Sequence, residues 1–174
     1  MSADEGSSSI TLRNDLHPGD IAEIVRLHGT LYAREYGFDV TFEAYVAGPL
    51  AEFALRRGGR DRIWIAERAV NGGPQIVGSI AIVEASLPEA QLRWFLVDPT
   101  ARGRGLGMQL VRAAVEFCRE SGFESIKLFT VDRLAAAARL YRKMGFELVH
   151  EKPAQWWGVD VNEQRYELKL RPLD

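Results

Sequence analysis

The stretch "LVDPTARGRGLGMQLVRAAV", Leu96 to Val115, places Arg102, Gly103, Arg104, Gly105, Leu106 and Gly107 between an apolar run and an amphipathic helix. Ordinary packing does not ask for glycine alternating with arginine at such a junction. Glycine lets backbone approach a ligand closely, and the free N–H groups at a helix start carry the positive end of its dipole. Arg102 or Arg104 can add charge-assisted contacts to the same anionic oxygens. The chemistry is the grip of a diphosphate. Two better-known phosphate signatures fail on register. G-x-G-x-x-G would need its third glycine at Met108 or Leu110, and the Walker pattern would need Lys and then Ser or Thr where Met108 and Gln109 stand.

The elements that must position this turn can be read from periodicity. "SITLRN" alternates as a short strand, and "HPGDIAEIVRLHGTLYAREYGF" carries Ile21, Ile24, Val25, Leu27, His28, Leu31 and Tyr32 at helical spacing, with Gly37 to end it. "TFEAYVAGPLAEFALRR" is a second helical region, in which Gly48 and Pro49 argue for a break or bend. "RIWIAERA" and "QIVGSIAIVEA" read as strands joined by the hairpin signal "VNGGP". "QLRWFLV" is a further strand, and after the glycine turn Leu110, Val111, Ala114, Phe117 and Cys118 mark one helix face, ended by Gly122. "SIKLFTV" is a strand and "RLAAAARLYRKMG" a helix. "FELVHEK" and "EQRYELKL" close the chain as strands around a loop holding Trp156 and Trp157. The expected order is β, α, α, β, β, β, α, β, α, β, β, in one α/β (α+β) domain over 9–174 behind a disordered tail over 1–8.

Composition narrows the function. The chain has 174 residues and a formal net charge of -2 from 22 basic and 24 acidic side chains, so no overall positive field holds a nucleic acid. Cys118 is the single cysteine, which excludes an internal disulfide framework, and His17, His28 and His150 are scattered without metal-ligand spacing. "MSADEGSSS" lacks the basic start and apolar stretch of a secretory signal, and no apolar run approaches ~18 residues. The expectation is a cytoplasmic protein without metal, nucleic-acid or membrane partner.

At Arg102, Gly105 and Gly107 the sequence resembles the GNAT family of N-acetyltransferases, whose signature is Arg or Gln, two residues, Gly, one residue, then Gly or Ala. Pro99 in "LVDP", the strand "SIKLFTV" and the later "LYRKMGF" stand at the spacings the family shows, so the likeness covers Gln91 to Phe146. "LHGTLYAREYGF" also looks like the acetyltransferase half of bacterial proteins fused to a MarR-type DNA-reading domain. The resemblance implies a mixed, mostly antiparallel sheet flanked by helices, with "QLRWFLV" and "SIKLFTV" splayed around the pantetheine arm of acetyl-CoA. Phe95, Leu96 and Val97 would offer backbone to that arm, and Val97 N–H would polarise the thioester carbonyl. Ala138 would leave room for the cofactor tail beside the face that Leu134 and Tyr141 share.

Acetyl transfer needs a neutral amine, yet a lysine-type amine has a pKa of about 10.4, so a base must take its proton. The thiol that leaves has a pKa of roughly 8.5, and a phenol beside it can protonate it or hydrogen-bond to it. The family tyrosine corresponds to Tyr141. Many relatives carry a glutamate on the strand before the turn, but "QLRWFLV" has no carboxylate, which leaves Glu84 and Glu35 as alternatives. Val131 stands where relatives often have Asn, so Thr130 or Asp132 would replace one cofactor hydrogen bond. Arg133, Arg139, Arg142 and Lys143 read as a solvated helix face or as partners of the cofactor's 3′-phosphate. Cys118 reads as a buried small hydrophobe. Trp156 and Trp157 would line the pocket of a small-molecule or peptide amine, pack the hairpin, or form a subunit contact in a homodimer. A non-catalytic acyl-CoA sensor is the competing function.

Overall fold

In β4 (Glu89–Val97) buried and half-buried residues alternate from end to end, yet its buried residues serve two different cores. Ala90 and Leu92 pack into one, Trp94 and Leu96 into the other. The switch occurs at a β-bulge, where Trp94 takes a left-handed φ of 47° and the register slips between Ser79 and Ala81 of the neighbouring strand. One extra residue inverts which side of the sheet each later side chain faces. Phe95 and Val97 thereby join the face on which Ala90 and Leu92 lie.

The computed structural model describes residues 9–56 and 59–170, and the expected tail over 1–8 lies outside them. The elements before β4 are β1 (Ile10–Arg13), α1 (Asp20–Tyr36), α2 (Val40–Leu55), β2 (Arg62–Val70) and β3 (Gly73–Ser86). After it come α3 (Leu106–Glu120), β5 (Ser125–Val131), α4 (Ala135–Lys143), β6 (Glu147–Trp156) and β7 (Val159–Lys169), the order expected from the sequence. All seven strands form one sheet in the order β1-β2-β3-β4-β5-β7-β6. The helices α3 and α4 cover one face and α1 and α2 the other, so each face has its own apolar core.

Among the described residues only β4 and β5 run parallel, as a crossover through α3 requires, and they pair over three positions, Glu89 with Ser125 to Gln91 with Lys127. Lys127 pairs with Glu89, and Arg165 reaches the same carboxylate at 3.6 Å, which fastens this end. Beyond Gln91 the two strands part.

Local chemistry explains the turns. Val70 faces Gly73 across the β2–β3 hairpin, leaving Asn71-Gly72 as a two-residue connection in which Gly72 and Gly73 take the positive φ of 110° and 117° that glycine tolerates. At the other hairpin Trp156 faces Val159, and Trp157 and Gly158 adopt φ of 53° and 78°. The expected loop around the tryptophans is therefore a tight turn, with Trp156 as the last residue of β6. Its tip is docked, since Asp39 N–H donates to Trp157 O at 2.9 Å. The expected break in α2 is absent: the helix continues through Pro49, and Phe42, Val46, Leu50 and Phe53 bury one continuous face. That apolar stripe outweighs the hydrogen bond proline removes.

Candidate functional site

The bulge fixes how the parted strands present their backbone. Ser79 Oγ donates to Trp94 O at 2.7 Å, which satisfies a carbonyl turned out of the ladder. Asp98 N–H donates to Val77 O at 2.8 Å, so Gly78 and Val97 form a non-hydrogen-bonded pair. The N–H and C=O of Val97 consequently point away from β3, toward the open edge. Tyr32 OH donates to Phe95 O at 3.2 Å, and Arg102 Nε to Val97 O at 3.0 Å.

Gly103 and Gly105 have φ of 75° and 80°, a region that favours glycine, and a Cβ at either would meet nothing within 4 Å. They supply conformation. Gly107 supplies proximity instead, because a Cβ there would lie 3.0 Å from Leu140 Cδ1 and 3.4 Å from Phe95 Cζ. Among the described residues, no acceptor takes the N–H groups from Gly103 to Met108; the first bond of α3 is Gln109 N–H to Gly105 O at 3.0 Å. That leaves a run of bare amides at a positive helix end.

These amides border a cavity of about 930 Å³ lined by Phe95, Leu96, Val97, Arg102, Gly103, Gly105, Leu106 and Gly107 and by the exposed side of α4. Arg102, Arg139, Arg142 and Lys143 are its charged lining, with no carboxylate among them. Such a set suits a multiply phosphorylated ligand. Two of the residues expected at the cofactor lie outside this lining. Arg104 points to solvent and does not line the cavity. Ala138 faces the core beside Tyr141, and the small residues open to the cavity are Ala136 and Ala137. Within four consecutive alanines, sequence gives no sign of which one faces the ligand.

A second cavity, about 520 Å³, opens where β4 and β5 diverge. Tyr141 lines it, as do both Trp156 and Trp157 at the hairpin end. Tyr32, Phe95, Leu134 and Ala137 line both cavities and form the wall where they meet. Burial, reinforced by Tyr32 and Tyr166, pushes the Tyr141 phenol well above its ordinary range. It therefore stays protonated and able to donate.

The two carboxylates expected as bases are not delivered to this junction. Glu84 lies at the far end of β3, opposite Ala90 where β4 and β5 are still joined, and lines neither cavity. Glu35 makes a bidentate pair with Arg102 at 2.8 and 3.1 Å, and this hydrogen bond raises the guanidinium pKa. Glu35 is thus a brace for the glycine turn. Asp132 is likewise committed, accepting from Asn162 N–H and Nδ2 at 2.9 Å each, while Thr130 does line the aromatic cavity and Val131 is core. Arg133 donates to Asp160 O at 3.0 Å, away from both cavities. Cys118 is fully buried, and burial pushes its thiol up to about 12.

Sequence reasoning missed His28 and Glu163, which line the splay from α1 and β7. His28 Nδ1 bonds to Ile24 O at 2.8 Å, its Nε2 is buried without a partner, and burial lowers its pKa to about 4. Glu163 accepts from Trp156 Nε1 at 2.9 Å and lies 3.5 Å from Lys152. Neither belongs to a local motif, so periodicity could place them on elements but not at a site. Among the described residues no group of acidic, histidine and cysteine side chains could hold a metal, and no helix is long and apolar enough to cross a membrane.

A sheet parted at its parallel pair, with a bulge on one strand and a bare-amide turn behind it, defines the GNAT fold. Residues 28–146 match the Acetyltransferase (GNAT) family, and the chain belongs to it. It is 29% identical over 120 residues to an uncharacterized N-acetyltransferase of Schizosaccharomyces pombe, covering 67% of this chain and 70% of that protein. It also matches N-acetyltransferase 8 of Rattus norvegicus, 32% identical over 57% of this chain, but spans only 46% of that relative. Among solved structures, a GNAT acetyltransferase of Staphylococcus aureus superposes with TM-score 0.74 at 20% identity, covering 94% of this chain and 100% of that one. The putative acetyltransferase yncA of Salmonella typhimurium, solved with its cofactor acetyl-CoA, gives 0.68 at 19% identity over 93% and 94%.

Proposed function

We propose that the chain moves an acetyl group from acetyl-CoA to a primary amine by direct attack. The observation that carries this reading is the meeting of two chemically unlike cavities at Tyr32, Phe95, Leu134 and Ala137. Acetyl-CoA bound in the basic cavity supplies the activated acyl group as a thioester.

The amides from Gly103 to Met108 hold the diphosphate, and Arg139, Arg142 and Lys143 neutralise the remaining phosphate. Val97 N–H, aimed into the open edge, stabilises charge developing on the acyl oxygen. The amine nitrogen enters from the aromatic cavity. Its bond to the acyl carbon forms as the carbon–sulfur bond breaks, its proton passes to solvent, and the departing sulfur accepts the hydrogen bond of Tyr141. With a phenol held this far above a thiol in pKa, Tyr141 acts as a hydrogen-bond donor to the sulfur more than as a full proton donor.

A second reading, a non-catalytic acyl-CoA sensor, is favoured by one observation: "QLRWFLV" carries no carboxylate, and neither Glu35 nor Glu84 lines a cavity. Thiol release from acetyl-CoA over a panel of primary amines separates the two. Amine-dependent release establishes the transferase, and tight binding without release establishes the sensor.

A further inference from the structure

Among the described residues, every aromatic side chain in the set of exposed large apolar residues borders one cavity: Tyr45 (45% exposed), Phe129 (45%) and Trp156 (46%). Half-exposed rings gathered at one concave site are an apolar surface awaiting a partner. Behind them Phe42 and Trp157 pack at 4.8 Å between centroids in an edge arrangement, and Tyr45 lies 5.3 Å from Trp157, so the rings form one packed wall. The hairpin tip is itself pinned to Asp39.

Charge in the same cavity is sparse and already engaged. The carboxylate in its lining is Glu163, bonded to Trp156 and faced by Lys152, and the cation is Arg93, over the rings of Trp94 (5.0 Å) and Tyr45 (5.9 Å). The carboxylate of the lining is already faced by Lys152, and guanidinium groups already lie over Tyr45 and Phe129, which leaves little free attraction for a second positive charge. A polyamine or a basic peptide would bring uncompensated cations to a site that already holds a guanidinium.

We infer that the acceptor is a monoamine with a compact aromatic body, the ring seated among Tyr45, Phe129, Trp156 and Trp157 and the nitrogen directed toward the wall shared with the cofactor. This rests on the acetyl-transfer reading and names its substrate class. A volume of about 520 Å³ lies within the range of roughly 300–1,000 Å³ in which small-molecule sites fall. Apolar walls also disfavour the charged form of an amine. The uncharged wall of Tyr32, Phe95, Leu134 and Ala137, toward which the nitrogen is directed, therefore helps to present it neutral, which accords with the absence of a carboxylate on the attacking strand.

The test titrates 2-phenylethylamine into the coenzyme A-loaded protein and reads tryptophan fluorescence, since Trp94, Trp156 and Trp157 line the cavity. Saturable quenching is expected, at least tenfold tighter than for spermidine or a lysine-containing peptide. Phe129→Ala and Tyr45→Ala, which keep the reporters and alter half-exposed positions, each weaken the aromatic amine by about tenfold. Equal or tighter binding of spermidine or the peptide overturns the inference, as does lack of saturation or unchanged affinity in both variants. Calorimetry with coenzyme A keeps the two readings apart. Coenzyme A binding without aromatic-amine binding sinks this inference and spares the transferase, and the reverse sinks the transferase and spares the aromatic site.

Discussion

The two cavities are built by opposite means. The larger one takes most of its walls from two short runs, Phe95 to Met108 and Leu134 to Lys143, and offers backbone amides and four cations. The smaller one collects side chains from α1, α2, β4, β5, α4, β6 and β7 and offers rings with little free charge. A ligand that never varies can be read by main chain in a contiguous turn. A ligand that sets specificity is read by side chains gathered from distant elements. Substitutions in the first region are thus expected to change cofactor affinity alone, and those in the second to change the response to the amine.

The largest expected effect is at Gly105. Gly105→Glu puts a carboxylate among amides that await phosphate and costs coenzyme A affinity on the order of a thousandfold. The φ of 80° adds about 1 kcal/mol of backbone strain for a side-chain-bearing residue. Gly105→Asn carries similar strain without charge and keeps most of the affinity. Calorimetry should find 2-phenylethylamine binding intact in both variants. If Gly105→Glu binds coenzyme A normally, the turn does not hold the diphosphate.

On the other side of the sheet, His28 makes the aromatic region sensitive to acid. Its folded pKa is depressed to about 4 from 6.5, so the unfolded chain takes up the proton first. The stability it contributes is complete above pH 6.5 and is lost as pH falls toward 4, by up to about 3 kcal/mol. Melting temperature should fall across that window in the native protein, and the fall should be shallower in His28→Gln. Parallel curves for the two proteins would mean that His28 is not buried neutral.

Tyr141→Phe comes next. Coenzyme A affinity and fold are expected to be unchanged while turnover drops by about a hundredfold, the scale of a positioned proton or hydrogen-bond donor. Equal rates at every pH would leave Tyr141 as a core aromatic.

What was legible in the sequence follows the same division. Strands and helices appeared in the right order because their apolar periods are local, and the glycine turn was legible because Arg102 to Gly107 are neighbours. The bulge was not. It shifts β4 by one residue without disturbing alternation in sequence, so Leu92 and Trp94 look equivalent although they serve different cores. Ala137 and Ala138 could not be told apart for a related reason, since a run of alanines has no apolar face of its own. Glu163 reaches the cavity only through the pairing of Val131 with Glu163, a register set by the whole sheet. Pro49 misled because local propensity was overruled by burial of Phe42, Val46, Leu50 and Phe53.

Glu35 tests the boundary between the two regions, and its expected effect is the smallest. It lies on α1, which lines both cavities, and its carboxylate is spent on Arg102 at the head of the cofactor turn. A half-exposed pair of this kind contributes about 0–1 kcal/mol. Glu35→Gln removes the charge but keeps an acceptor for the guanidinium, whose Nε still braces Val97 O. Coenzyme A affinity should therefore stay within a few-fold, with turnover and its pH profile in place. Loss of a general base would behave differently: turnover would fall by a hundredfold or more, and the acidic limb of the profile would disappear. Steady-state rates of Glu35→Gln between pH 6 and 9 distinguish a brace from a base, because only a group that removes the amine proton can move that limb.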